Sequence, residues 1–88
     1  MTWTVIVTRT AQKQLAKIPS KDRVRLIEVL SLMEHDPQAG DVKHLTNYGV
    51  GFRRRVGVYR ILFDLNIDEM WVEVVSIERR GDDTYRRR

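Results

Sequence analysis

The chain reads as an α+β domain in the order β-α-α-β-β-β, a small, mainly antiparallel sheet with two helices packed on one face. Three observations predict this. The N-terminus carries a β-branched and aromatic run; two consecutive segments then repeat apolar residues at helical spacing; and three strand-like segments joined by short turns follow Gly51. At 88 residues the chain is expected to be a single domain over 1–88, because so short a chain cannot bury two separate cores.

Trp3-Thr4-Val5-Ile6-Val7-Thr8 predicts a first strand, expected to be well buried. Thr10 is the expected cap of a short helix whose Ala11, Leu15 and Ile18 share a face while Gln12, Lys13 and Lys17 meet water, and Pro19 is expected to end it. Ser20 offers the next N-cap, with Asp22 in the first turn where a negative charge suits the helix dipole. This second helix is expected to run to about Glu34, with Val24, Ile27, Leu30 and Ser31 on one stripe and Leu26, Val29 and Met33 widening it. Asp36-Pro37-Gln38-Ala39-Gly40 breaks the pattern, and residues 41–51 read as a loop with Val42 and Leu45 turned inward. Strands are expected over 52–57, 59–66 and 70–77, joined by a tight turn at Gly57-Val58 and a looser one at Asn66-Ile67-Asp68-Glu69. Alternation puts Tyr59, Ile61, Phe63 and Leu65 on the core face of the middle strand. Residues 81–88 read as a flexible basic tail.

The formal net charge is +4 and the sequence pI about 9.9, a balance that favours an anionic partner. Cation type says more than cation number: lysine is confined to residues 13–43, and from Phe52 onward every cation is arginine, the residue suited to forked contact with phosphate. Without cysteine there is no disulfide framework or thiolate site. The only histidines, His35 and His44, lack acidic residues at metal-ligand spacing, so neither metal nor other cofactor is expected. No apolar run approaches a membrane span, and a cytoplasmic location is expected.

The densest feature is Phe52-Arg53-Arg54-Arg55-Val56-Gly57-Val58-Tyr59-Arg60, with four arginines in nine residues. Strand alternation puts Arg53 and Arg55 on one face, joined across the hairpin by Arg60, and leaves Phe52, Arg54 and Val56 on the other. The helices cover only one face, so the other is open and carries the arginines. The plain alternative is a solvated strand face whose arginines pair with Asp64 or Glu73 for roughly 0–1 kcal/mol each. Trp3 and Trp71 read as core or sheet-surface aromatics.

The order of elements, the 52–63 segment and the ending from Val75 through Arg79-Arg80 to Tyr85 together resemble the RelE/ParE superfamily of bacterial toxins, over nearly the whole chain. The most specific part is the pattern matched by Arg53, Arg55, Val56, Gly57, Tyr59 and Arg60, with Val42-Lys43-His44-Leu45 similar to the family's approach to that hairpin. The resemblance, with the RelE-like branch favoured, implies the toxin of a type II toxin–antitoxin pair. Its partners would be an acidic antitoxin, the A site of the 70S ribosome with its mRNA, and operator DNA only through the antitoxin. It implies a metal-independent mRNA endonuclease, with Arg53, Arg55, Arg60, Arg80 and Tyr85 as catalytic residues and Arg53, Arg55, Arg79 and Arg86 on RNA. A ParE-like DNA gyrase inhibitor and a non-catalytic antitoxin- and operator-binding member are the alternatives.

Two positions depart from the family pattern. Arg54 stands at a core-facing position that is usually apolar, so it must snorkel to the edge or find a carboxylate. Arg53 and Arg55 stand where RelE-like proteins have lysines. Metal-free cleavage has the 2′-hydroxyl attack its own phosphodiester, which calls for a base, charge stabilisation and an acid. Arginine keeps its proton to above about pH 12 and is a poor base. His44 and Glu78 are therefore the candidates for the proton shuttle.

Overall fold

A computed structural model describes residues 2–79. Its elements are β1 (Thr4–Val7), α1 (Arg9–Ala16), α2 (Ser20–Leu32), β2 (Val42–His44), β3 (Phe52–Val56), β4 (Tyr59–Asn66) and β5 (Trp71–Arg79). The five strands form one sheet in the order β1-β5-β4-β3-β2. β1 pairs with β5 in parallel and every other pairing is antiparallel, so the α+β architecture is as expected.

Several local expectations are corrected. β1 is an edge strand, and only its alternate residues Val5 and Val7 pack on the core while Ile6 remains 44% exposed. The cap of α1 is Thr8, not Thr10. Its hydroxyl accepts from the Ala11 N–H at 3.2 Å and donates to the Val75 carbonyl at 3.0 Å, so it caps the helix and ties it to β5. α1 stops at Ala16, ahead of Pro19, and the Arg23 guanidinium donates to the carbonyls of Ala16 and Ile18, satisfying acceptors that a helix end leaves orphaned. Pro19, not Ser20, occupies the N-cap position of α2, without a side-chain hydrogen bond.

The stripe of α2 is rotated from expectation. Leu26, Val29, Leu30 and Met33 are buried, whereas Val24 and Ile27 are about half exposed. The i, i+3, i+4, i+7 set that faces the sheet is the one centred on Leu26 and Met33. With Ala11 and Ile18 from the α1 region it closes over Val56, Tyr59, Ile61, Phe63, Val72, Val74 and Ile77. The chain between α2 and β3 is not wholly a loop, because Val42–His44 adds a fifth strand beside β3.

The β4–β5 ladder contains a bulge. Leu62 pairs with Ser76 and Phe63 with Val74, which leaves Val75 as the extra residue. In an unbroken strand, Val72, Val74, Ser76 and Glu78 would share a face. The bulge keeps Val72 and Val74 in the core, transfers Ser76 and Glu78 to the open face, and returns Ile77 to the core. The Gln14 side chain of α1 fixes this segment by accepting from the Ile77 N–H at 2.6 Å.

Candidate nucleic-acid interface

On the open face, Arg55 pairs with Arg60 and Arg53 with Leu62 across β3 and β4. Lys43 of β2 stands opposite Arg53, and Glu78 of β5 opposite Arg60. Four strands thus bring Lys43, Arg53, Arg55, Arg60 and Glu78 into one cavity of about 690 Å3, whose wall also includes Leu45, Asn47, Tyr48, Val50 and Leu62. Among the sequence-predicted residues, Arg53, Arg55, Arg60 and Glu78 are brought together here.

The guanidiniums are held by carboxylates other than Asp64 and Glu73. Arg53 Nη1 lies 3.1 Å from Asp41 Oδ1 and Arg55 Nε 3.9 Å from Asp41 Oδ2. Arg60 Nη2 donates to Glu78 Oε1 at 3.2 Å, and the Ser76 hydroxyl reaches Glu78 Oε2 at 3.4 Å. Asp64 instead accepts from the Gly51 N–H at 2.6 Å and pins the loop before β3. The side chains of Arg53 and Arg60 are only 13% and 19% exposed, against 42% for Arg55, so two of the three charges are largely out of water. Four cations, Lys43, Arg53, Arg55 and Arg60, face two carboxylates, Asp41 and Glu78, and the surplus is positive. Such a surface holds phosphate oxygens in forked, charge-assisted hydrogen bonds.

The remaining candidates lie elsewhere. His44 pairs with Phe52 and packs on its ring, centroids 5.1 Å apart, on the helix-facing side of the sheet, away from the guanidiniums. Adjacent strand residues face opposite ways, and Lys43, not His44, takes the open side beside the arginines. Arg79 stands opposite Tyr59, on the helix side at the end of β5. Arg80, Tyr85 and Arg86, with the 81–88 tail, lie outside the described residues. Trp3 packs against the core, and Trp71 lies far along the ladder, opposite Asn66.

Arg54, on the helix side, snorkels to the edge. Its Nη1 donates to the Ala39 carbonyl at 2.9 Å, while its buried Nε has no partner among the described residues. Its guanidinium lies over Gly40, in the left-handed region at φ +84°, where an added Cβ would come within 2.6 Å of Nη2. Gly40 precedes Asp41, whose backbone carbonyl accepts from the Arg55 N–H at 2.9 Å and from Arg53 Nη1 at 3.2 Å.

Sequence reasoning missed Asp41, Asn47 and Tyr48 as parts of the site. Lys43 was missed as well, because 42–44 becomes a strand only by pairing with β3.

These features define a class: a small α+β domain whose uncovered sheet face concentrates arginines in a cavity. No protein-family model matches the chain, and no curated protein matches it. Solved structures do. In the RelBE2 toxin–antitoxin complex of Mycobacterium tuberculosis the similarity is 25% identity over 91% of this chain and all of the matched one, with a TM-score of 0.80. The archaeal RelE–RelB complex of Pyrococcus horikoshii OT3 gives 26% identity, 92% and 98% coverage and a TM-score of 0.81. The isolated E. coli RelE toxin shares the fold at 17% identity, 97% and 93% coverage and a TM-score of 0.74. The chain has the RelE-like fold and is similar to these RelE toxins over nearly its whole length.

Proposed function

We propose that this chain is the toxin of a type II toxin–antitoxin pair and that it cuts messenger RNA in the ribosomal A site without a metal. The observation that carries this reading is the convergence of Arg53, Arg55 and Arg60 with Glu78 in one open cavity. The structural neighbours, which include toxins in complex with RelB antitoxins, support the toxin class and an antitoxin partner.

In the proposed reaction the 2′-hydroxyl attacks the adjacent phosphorus and its proton passes to Glu78, while the bond to the 5′-oxygen breaks and that oxygen takes a proton from water, giving a cyclic phosphate and a free 5′-hydroxyl. Arg53, Arg55 and Arg60 neutralise the charge that builds on the phosphoryl oxygens and hold the RNA in line. Arg60 orients the Glu78 carboxylate through their hydrogen bond. Arg80 and Tyr85 keep the catalytic roles, and Arg86 the RNA contact, that the family resemblance implies. An acidic antitoxin would mask the arginine face, which otherwise attracts any nucleic acid in the cell.

Primer extension on translated message tests the reading. Wild-type chain should produce cuts within coding sequence that disappear in Arg60→Ala. Glu78→Gln should slow cutting by about 10²–10⁴-fold, the range for loss of a general base, while retaining RNA binding. Message left intact together with induction of the DNA-damage response would overturn the reading in favour of a gyrase poison.

A further inference from the structure

Tyr48 is 66% exposed on the loop between β2 and β3, beside the guanidiniums in the wall of the same cavity. Its hydroxyl has no hydrogen-bond partner among the described residues, and its ring belongs to no aromatic pair there. A tyrosine of this exposure leaves a broad apolar face in water for no gain to the fold.

The loop that carries it is anchored at its base. Leu45 N–H donates to the Gly51 carbonyl at 2.7 Å, and Gly51 N–H donates to Asp64 Oδ1 at 2.6 Å. Asn47 at φ +63° and Gly49 at φ +76° turn the chain on either side of Tyr48. Asn47 lines the cavity as well and brings an amide that both donates and accepts. A cationic floor that tracks phosphates, with an aromatic ring rising from its rim, is the arrangement that binds single-stranded nucleic acid.

We propose that Tyr48 is a stacking platform for one nucleobase of the single-stranded RNA held on the arginine face, with Asn47 placed to read that base's edge. The inference rests on the RNA reading above and deepens it by assigning a base-contacting element to a chain segment separate from the phosphate contacts. Phosphate contacts carry no sequence information, so a base preference has to come from groups such as these.

The test uses the full 88-residue chain and a fluorescent single-stranded RNA, with affinity read by anisotropy over a salt series. Tyr48→Ala should weaken binding by roughly 5- to 150-fold, the span of one lost base–aromatic stack. Tyr48→Phe and Tyr48→Trp should bind within a few-fold of wild type. The slope of log K against log salt should be unchanged in Tyr48→Ala, because no phosphate contact is lost. In Arg55→Ala it should fall by about 0.7. A wild-type chain that does not bind the RNA overturns the inference together with the RNA reading. Tight wild-type binding that Tyr48→Ala leaves intact overturns the stacking role alone. If Tyr48→Ala spares RNA but loses an antitoxin, the ring belongs to the protein interface and the inference is again overturned.

Discussion

Replacing Gly40 with alanine tests whether Arg54, an arginine on the helix side of the sheet, is packed onto that glycine. The substitution does two things. It puts a Cβ on a residue at φ +84°, which costs about 1–2 kcal/mol. It also drives that Cβ into the Arg54 guanidinium, at 2.6 Å from Nη2, 2.7 Å from Cζ and 3.1 Å from Nε. The far end of a long side chain can swing away, but doing so breaks the hydrogen bond to the Ala39 carbonyl, a further ~1 kcal/mol at this partly exposed position. Gly40→Ala should therefore destabilise by about 2–3 kcal/mol, read from urea unfolding midpoints at constant m. In an Arg54→Ala background the collision is gone and only the backbone cost of about 1–2 kcal/mol remains. The double-mutant cycle should give a coupling of about 1 kcal/mol. A coupling within experimental error of zero would refute the claim that Arg54 is packed onto Gly40.

Two further outcomes follow from the ion pairs and from the core tyrosine. Asp41 engages Arg53 and Arg55 from a side chain that is 55% exposed, so the pairs are worth no more than about 1 kcal/mol each. An incoming phosphate competes with it, and Asp41→Asn should bind single-stranded RNA several-fold more tightly at low salt without cutting it faster. Weaker binding would show that Asp41 serves to organise the guanidiniums. Burial, reinforced by the hydrogen bond to Asp22 and by that carboxylate's charge, raises the pKa of the Tyr59 phenol above its ordinary value, against an opposing contribution from Arg79. Above about pH 10 the unfolded chain loses this proton while the folded chain keeps it, so stability falls as pH rises through the folded value. Tyr59→Phe should be less stable than wild type at pH 8, and the gap should narrow at pH 10.5 in urea titrations. A gap that is constant with pH would show that the phenol titrates normally.

The division of the arginines between faces was legible because alternation is a local property. Once 52–56 and 59–66 are strands joined by Gly57-Val58, Arg53, Arg55 and Arg60 have to share a side whatever else the chain does. The helices were legible from their period, but which stripe of α2 faces inward was not. Val24 and Ile27 are as apolar as Leu26 and Val29, and only docking against Ile61 and Phe63 decides between them. His44 carried no local signal of its side, because 42–44 becomes a strand only by pairing with β3.

By itself the sequence determined the α+β order, the cationic hairpin and an uncovered face for it, since these follow from periodicity and charge within short windows. Tertiary structure alone decided what joins the hairpin there. The bulge at Val75 turns Glu78 toward Arg60, pairing of β2 places Lys43 beside Arg53, and the hydrogen bond from the Arg55 N–H to the Asp41 carbonyl sets Asp41 beside Arg53 and Arg55. The physical reason is common to all three: each depends on register or packing between segments distant in sequence, where one residue of slip would send the side chain to the opposite face.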